Sequence, residues 1–426
     1  MIGAHRDVTW GKRWAPTVLA AAAFVYGPVS FGTARAQLAV SANDGHVMFV
    51  DGAMKVVADG KDTVTILDLG KNPPAKLAEV EVPASVVGPP HSVAVTPDER
   101  YAIVTSSMKI DPADPTKQIA DNRVTLIELP PQSLTARIKG KITDALKKTD
   151  PNAPQARIVQ TIEAGAAPAG VSINRKGDLV LVANRNEGSI SIFSLKGGKL
   201  EAKGKLVVGD AKSSLGHVAI TPDGQKGLVT RDGDNMISVL NIEGEKVELS
   251  KRDIHAGIRP YGLSISNDGR FAAVANIGRG QGDADTISLI DLSKEPFRVV
   301  DTISVGQTPE GIQVSPDSKY VAVTVLNGSN KPKNSPFFNE NGRLQMYAVG
   351  KDLKLAKVSE VKIGAVSQGI AFSRNGRKIL VQNLAEKEIQ VLDNSSGRLT
   401  DANQTIKVTG GPAGLRTAEP PYKAAR

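Results

Sequence analysis

The stretch "YGLSISNDGRFAAVAN" at residues 261–276 nearly repeats "AGVSINRKGDLVLVAN" at residues 169–184. Each copy consists of an apolar segment, a short polar turn that contains glycine, and a second apolar segment that ends in Ala-Asn. Asn, Asp and Gly favour tight turns, so each copy predicts two antiparallel strands. The duplication indicates a fold assembled from repeated β-hairpins.

The first strand of this unit recurs seven times along the chain. The copies are PHSVAV from Pro90, PAGVSI from Pro168, LGHVAI from Leu215, PYGLSI from Pro260, PEGIQV from Pro309, SQGIAF from Ser367 and PAGLRT from Pro412. A third strand such as DTVTILDL (62–69) also occurs seven times, and a variable fourth strand follows it. A unit of four short strands that repeats about every 45–50 residues predicts a β-propeller.

The two ends of the chain predict how the ring closes. The segment that begins at Leu38 matches a second strand, whereas the last repeat, 412–418, is a first strand with no second strand after it. One blade is therefore shared between the two ends. We predict an all-β, seven-bladed β-propeller in which the C-terminal strand joins the N-terminal blade and leaves few strand edges unpaired.

The repeat resembles that of the YVTN-type bacterial propellers, which include YncE-like proteins and the seven-bladed lactonase family. The resemblance rests on the SPDG-like turn, the following VAN strand and the third strand that ends in Asp-Leu, and it covers essentially the whole chain after residue 36. It implies the propeller fold. It does not settle the activity, because these families share the repeat and differ in function.

The N-terminal residues have the layout of a signal peptide. Arg6, Lys12 and Arg13 precede an apolar run, and Ala34 and Ala36 occupy the −3 and −1 positions of a cleavage site. The alternative is an uncleaved membrane anchor, but Gly27-Pro28 interrupts a run that is barely long enough to span. We expect residues 1–36 to be removed, residues 37–426 to form a single domain, and the protein to be periplasmic or secreted.

Composition narrows the partners and cofactors. Residues 1–36 carry four of the 53 basic and one of the 44 acidic residues, so the remainder has a net charge of +6. Such mild basicity and sparse aromatics do not favour nucleic acid as a ligand. Without cysteine there is neither a thiolate metal site nor covalently attached haem. We expect a monomer without metal or cofactor, whose partner is a small anionic or hydroxylated molecule or another protein.

The candidate site is one mouth of the central channel. In a propeller, the turn that precedes each innermost strand and the loop between the second and third strands lie on the same face. Most long insertions fall there, at 44–61, 107–121, 277–284 and 326–341. Binding residues are commonly placed on loops of a rigid scaffold, so this face is the predicted functional face.

The side chains predicted to line this mouth are polar and carry both charges, which suits a small anionic or hydroxylated ligand. The predicted ligand-binding residues are His91, Asn184, Arg185, His217, Arg231, Tyr261, Asn276, Glu310, Gln368 and Asn383. The alternative hypothesis is a lactonase-type hydrolase acting at the same mouth. Its candidate catalytic residues are His91, Glu310 and Arg231, because "GPPH" at 88–91 resembles a turn of the lactonase family and hydrolysis requires a base and a cation.

Two segments depart from the repeat. In "SLTARIKGKITDALKK" (133–148), Leu134, Ile138, Ile142 and Leu146 form a helical stripe, and five bases against one acid make the other side basic. This segment is predicted to be a helical insertion, packed on its own blade or docked to an acidic partner or an anionic surface. The tail, from about 419 to 426, is predicted to be mobile.

Overall fold

The computed structural model describes residues 37–131, 155–420 and 422. Within them the chain is all-β apart from a 3₁₀ turn at Ala211–Ser213, and four-stranded antiparallel sheets form seven blades. The prediction of a seven-bladed propeller is therefore confirmed. The signal peptide at 1–36 and the helical insertion at 133–148 lie outside the described residues, and no helix within them is long and apolar enough to cross a membrane.

Each blade orders its four strands from the channel outwards. Blade 1 contains Gly411–Thr417 (β32), Leu38–Asp44 (β1), Thr63–Asp68 (β4) and Ala75–Glu81 (β5). Blade 2 contains Val93–Val95 (β6), Tyr101–Thr105 (β7), Arg123–Glu128 (β10) and Arg157–Glu163 (β11). Blade 3 contains Pro168–Ile173 (β12), Leu179–Asn184 (β13), Ser189–Lys196 (β14) and Lys199–Val207 (β15). Blade 4 contains Leu215–Ile220 (β16), Lys226–Arg231 (β17), Met236–Glu243 (β18) and Lys246–Ile254 (β19).

The remaining blades follow the same order, and two short hairpins extend from the loops. Blade 5 contains Pro260–Ile265 (β20), Phe271–Asn276 (β21), Asp285–Asp291 (β22) and Arg298–Gly306 (β23). Blade 6 contains Pro309–Val314 (β24), Tyr320–Val325 (β25), Gly342–Val349 (β26) and Leu355–Ile363 (β27). Blade 7 contains Ser367–Phe372 (β28), Lys378–Asn383 (β29), Glu388–Ser395 (β30) and Arg398–Lys407 (β31). The hairpins are Val47–Val50 (β2) with Ala53–Val56 (β3), and Met108–Ile110 (β8) with Gln118–Ala120 (β9).

The core lies between the blades. Among the described residues, seven buried apolar clusters each join the facing strands of two neighbouring blades. One of them unites Ala39 and Leu67 of blade 1 with Leu380 and Val391 of blade 7. A blade buries both of its faces only when the ring is complete, because each face needs a neighbour.

The ring closes through the shared blade. Strand β32 pairs antiparallel with β1, with Leu415 opposite Ser41 and Thr417 opposite Ala39. Gln382 of blade 7 donates hydrogen bonds from its Nε2 to the carbonyl oxygen of Gly414, at 3.0 Å, and to the hydroxyl of Ser41, at 2.8 Å. The predicted closure by the C-terminal strand therefore has both backbone and side-chain bonds.

We expect a chain that ends at Gly410 to lose cooperative unfolding, because removal of β32 exposes the apolar faces of its neighbours. It also leaves buried backbone groups of β1 unpaired, at about 1–3 kcal/mol each. The matched control is a chain that ends at Pro420, which retains β32 and should unfold with wild-type cooperativity. Urea denaturation followed by circular dichroism measures both variants. A cooperative transition in the chain that ends at Gly410 would contradict this mode of closure.

Candidate functional site

The structure brings three of the predicted side chains together at the mouth where the second-to-third-strand loops open, which we call the upper mouth. Tyr261, Glu310 and Gln368 occupy the same position in the first strands of blades 5, 6 and 7. The side chain of Glu310 hydrogen-bonds to that of Gln368, and the charge of Glu310 acts on the Tyr261 phenol. The repeat explains this grouping, because equivalent positions in adjacent blades are neighbours around the ring.

Two arginines share one buried carboxylate beside this group. Arg185 lies at the end of the second strand of blade 3, and its Nη2 is 2.8 Å from Oδ2 of Asp232. Nη2 of Arg259, in the loop before β20, is 3.2 Å from the same oxygen. Asp232 is 2% exposed. The Arg185 guanidinium carbon also lies 5.9 Å from the centre of the Tyr261 ring. One acid thus positions two cations next to Tyr261 and Glu310.

The sequence analysis missed Asp232 and Arg259. Asp232 occupies the position in blade 4 that Arg185 occupies in blade 3, directly after the last residue of the second strand. Alignment of the two repeats shows this correspondence, and opposite charges at equivalent positions of adjacent blades are a signal for an ion pair. Arg259 precedes Pro260 at a repeat position that is occupied by uncharged residues, Ala167 and Thr308, in blades 3 and 6. The repeat therefore gave no comparable signal of an ion pair for it.

The electrostatic environment favours the neutral form of Glu310. Burial raises the pKa of the Glu310 carboxyl to about 7, although the hydrogen bond from Gln368 and the positive charge of Arg259 oppose the shift. Burial and the nearby charge of Glu310 also raise the pKa of the Tyr261 phenol. Glu310 can therefore exchange a proton near neutral pH, whereas Tyr261 remains a neutral hydroxyl. A carboxyl that titrates near pH 7 is suited to general acid–base chemistry.

His91 and His217 also meet, but inside the channel and away from solvent. Their ring centroids are 3.9 Å apart, and the residues are 1% and 4% exposed. Glycines in other blades make room for the rings: a Cβ at Gly262 would lie 2.9 Å from Cε1 of His91, and a Cβ at Gly170 would lie 2.8 Å from Cδ2 of His217. Burial lowers the pKa of both imidazoles well below the usual value, and the charge of Arg416 adds to the effect. The two neutral rings constrict the channel.

Three predicted ligand-binding asparagines lie inside the blades. Asn184, Asn276 and Asn383 are at most 1% exposed and end the second strands of blades 3, 5 and 7. Nδ2 of Asn184 donates to the hydroxyls of Ser189 and Ser191 on the third strand. The amides of the other two residues likewise donate to third-strand side chains. Their donors connect neighbouring strands and are not directed to the upper mouth.

Arg231 replaces this asparagine in blade 4. Its Nε donates to Asp234 at 2.7 Å, and its Nη1 donates to Asp253 at 2.9 Å and to the hydroxyl of Ser238 at 3.2 Å. Asp253 belongs to the outermost strand of the blade, so the side chain extends outwards. The geometry therefore does not place Arg231 beside Tyr261 or Glu310, because two carboxylates of its own blade hold it.

The long insertions contact one another on the upper face. The insertion at 44–61 contains the β2–β3 hairpin, and the carboxylate of Asp51 accepts a hydrogen bond from the backbone N of Lys333 at 2.9 Å. Lys333 lies in the 326–341 insertion of blade 6, and Nζ of Lys331 there donates to the carbonyl oxygen of Gly280 in blade 5. Segments from three blades thus form one layer on this face.

One group of side chains in the described part of the chain has the composition of a metal site. Ligand atoms of Asp44, His46 and Asp62 lie within 4.8 Å of one another. However, the two Asp44 oxygens accept hydrogen bonds from the backbone N of His46 and of Val86, and Asp62 accepts one from His46 Nδ1 at 2.8 Å. Burial and the charge of Asp62 raise the pKa of Asp44 to about 6. These bonds tie the base of the β2–β3 hairpin to blade 1.

Comparison with known proteins supports the fold. Neither a protein-family model nor a curated protein matches the chain. Among solved structures, a 6-phosphogluconolactonase candidate from Bacteroides fragilis is 19% identical with a TM-score of 0.66, covering 91% of this chain and 99% of that one. The periplasmic gluconolactonase of Pseudomonas aeruginosa is 19% identical with a TM-score of 0.61, covering 89% and 99%. Hydrazine synthase of Kuenenia stuttgartiensis is 17% identical with a TM-score of 0.57, covering 81% and 93%. Similarity at these identities establishes the propeller and not the activity.

We expect Arg231→Ala to lower stability without altering chemistry at the upper mouth. The substitution leaves Asp234 and Asp253 without their shared cation, and a charged hydrogen bond contributes about 1.5–3 kcal/mol. Arg231→Asn is the matched control, because asparagine is the residue at this position in four other blades and can still donate to Ser238. Thermal unfolding should rank wild type above Arg231→Asn and Arg231→Asn above Arg231→Ala. An unchanged melting temperature in Arg231→Ala would show that these ion pairs are dispensable.

Proposed function

We propose that the protein is a hydrolase of polar lactones that acts at the upper mouth. The observation that carries the proposal is Glu310, a carboxyl with a pKa of about 7 that lies close to a neutral phenol and two arginines. A base near neutral pH and a cation for the developing oxyanion are the two requirements of lactone hydrolysis. Of the three catalytic candidates from the sequence, Glu310 has the most suitable surroundings.

In the proposed reaction the Glu310 carboxylate takes a proton from water as the water oxygen attacks the lactone carbonyl. The carbonyl oxygen gains negative charge, which the guanidinium of Arg185 or Arg259 stabilises. When the tetrahedral intermediate collapses, the ring C–O bond breaks, and the departing alkoxide takes the proton back from Glu310, which regenerates the carboxylate. The product is a hydroxy acid, and no cofactor is needed to balance the step. The Tyr261 hydroxyl and the Gln368 amide are available to bind substrate hydroxyls.

The structural comparisons suggest which lactones to test first. Two of the similar structures bear the names of gluconolactonases, one of them for the phosphorylated sugar. We therefore propose aldonolactones, with or without a phosphate, as the substrate class. Arg185 and Arg259 bring two positive charges to the mouth, whereas Asp232 is the one acid that is ion-paired with them, and their forked donors suit a carboxylate or phosphate on the substrate or product.

A second candidate is a binding protein that uses the same mouth without turnover. The specific observation in its favour is that both arginines are already held by Asp232, an arrangement that preorganises a binding surface.

We also propose that residues 1–36 direct export and that the domain works outside the cytoplasm. The similar Pseudomonas aeruginosa protein bears the name of a periplasmic enzyme, which accords with this proposal.

We expect Glu310→Gln to reduce kcat/KM for glucono-δ-lactone by about 10²–10⁴-fold, because the amide cannot accept the proton from water. The pH profile of wild-type kcat/KM should rise through an apparent pKa near 7 and become flat in the variant. Glu340→Gln is the matched control, since Glu340 is exposed on the insertion of the same blade. Acid release measured by pH-stat tests all three proteins. Wild-type protein that binds gluconate but hydrolyses no lactone in the panel would favour the binding protein.

The raised pKa of Glu310 also predicts a stability effect. The folded protein binds this proton more tightly than the unfolded chain, whose pKa is about 4.5. The protonated carboxyl therefore contributes stability that is fully present below about pH 4.5 and is lost as the pH rises through about 7. Between pH 5 and pH 8 the wild type should lose roughly 1–3 kcal/mol relative to Glu310→Gln. Urea denaturation at both pH values measures this difference, and equal losses in the two proteins would contradict it.

A further inference from the structure

The channel continues below the two histidines as two partly open chambers. Two adjoining chambers of about 40 Å³ each lie between the ends of the innermost strands. Arg175, Arg416 and Glu419 line both chambers, and His217 lines one of them. Each volume exceeds what a single water molecule requires. The space is therefore large enough for a small ion with some of its hydration.

The lower chambers contain more positive than negative charge. The guanidinium of Arg175 forms an ion pair of 2.5 Å with Glu419, which also stabilises the charge of Arg416. Arg416 reaches across the channel and donates to Oε1 of Gln313, a neutral partner. Two cations thus share one carboxylate, and that carboxylate is half-exposed. Burial lowers the pKa of Arg416 to about 10, so the guanidinium remains charged at neutral pH without full compensation.

The imidazoles above the chambers have unused hydrogen-bonding capacity. Both ring nitrogens of His91 and Nδ1 of His217 lack a well-formed hydrogen bond among the described residues, although the backbone of Leu263 interacts with both rings. A neutral imidazole carries one N–H donor, and a buried donor without a partner costs about 1–3 kcal/mol. The adjacent Arg416 disfavours a cation as the missing partner, since like charges repel at short range. A water molecule that hydrogen-bonds to Nδ1 of His217 and to an anion beside Arg416 satisfies the nitrogen and the guanidinium together, since water both donates and accepts.

Two residues of the C-terminal tail line the lower end of the channel. Glu419 and Pro420 follow β32, and the carbonyl oxygen of Pro420 accepts a hydrogen bond from Nη1 of Arg175. Tail mobility from about 419 stays a prediction, although these first two residues make defined contacts. Residues 421 and 423–426 lie outside the described residues. Glu419 thus brings a carboxylate of the chain itself to the same two arginines that an external anion would use.

We propose that the lower channel is a binding site for a small inorganic anion, held by Arg416 and the imidazole of His217, with Glu419 as an internal competitor. The site is separated from the upper mouth by the two histidines and does not rest on the proposed hydrolase activity. A small inorganic anion, from chloride to phosphate, matches the size of the chambers. The charge of Arg416 supplies the attraction, and a water bound to Nδ1 of His217 completes the contacts of the anion.

The test follows the imidazole signals of the purified protein in long-range ¹H–¹⁵N spectra during titration with sodium chloride, sulfate or phosphate. The chain has five histidines, and the buried His91 and His217 should appear as neutral rings that resist titration. We expect at least one anion to shift the His217 signals with saturation. Glu419→Gln should tighten that binding by about tenfold or more, because it removes the competing carboxylate. Arg416→Gln should abolish saturation.

One control variant and one fallback variant support the test. Arg398→Gln removes an exposed arginine from the outermost strand of blade 7 and should titrate like wild type. Because Arg416 lies in the strand that closes the ring, Arg416→Gln can fail to fold, and Glu419→Gln then carries the test. Unchanged anion affinity in Glu419→Gln overturns the role of the tail. Signals that drift without saturation and equally in wild type and Arg416→Gln show an adventitious ion only and overturn the site.

Discussion

The whole structure depends on closing the ring, because no blade has a stable face until both neighbours are in place. Hydrogen bonds between blades reinforce the apolar clusters. Thr230 of blade 4 donates from its hydroxyl to the carbonyl oxygen of Tyr261 in blade 5, and Thr324 of blade 6 donates in the same way to Gln368 in blade 7. These bonds join the second strand of one blade to the first strand of the next. The backbone positions of two mouth residues are therefore fixed by the contacts that close the ring.

The fold could be predicted from the sequence because it is specified locally and repeatedly. Each hairpin carries its own turn residues and alternating apolar positions, so an ambiguous repeat is clarified by the other six. The number of blades and the closing strand followed from which strand types stand at the two ends. The closure could be predicted without knowledge of long-range contacts. Leu415 of β32 and Ser41 of β1 are paired in the same way as residues of the first and second strands in the other blades.

The site could be predicted only in part, because equivalent positions do not guarantee equivalent side-chain directions. Tyr261, Glu310 and Gln368 share one repeat position and do meet at the mouth. The asparagines also share a position, but third-strand side chains draw their amides into the blade. These side chains are hydroxyls in blades 3 and 5 and the Gln390 amide in blade 7. Ser189 and Ser191 are visible in the sequence beside Asn184, so this pattern of hydroxyls was an available signal.

Arg231 shows the limit of an argument from position alone. Its repeat position indicated a residue at the mouth. The direction of its side chain, however, depends on Asp253, which comes twenty-two residues later on the outermost strand. A partner on the variable fourth strand has no counterpart in the other repeats. Charge pairs of this kind become predictable only when the register between strands is known, and the sequence does not specify that register for the fourth strand.

The paired histidines divide the channel into two electrostatically linked halves. Both rings are buried, and their centroids are only 3.9 Å apart. The rings respond to charge in the lower channel, because repulsion from Arg416 is one cause of the low pKa of each imidazole. An anion next to Arg416 would cancel part of that repulsion and raise the pKa of both imidazoles. The lower site would then alter the electrostatic field beneath the upper mouth through the two imidazoles, without any direct contact with the residues of that mouth.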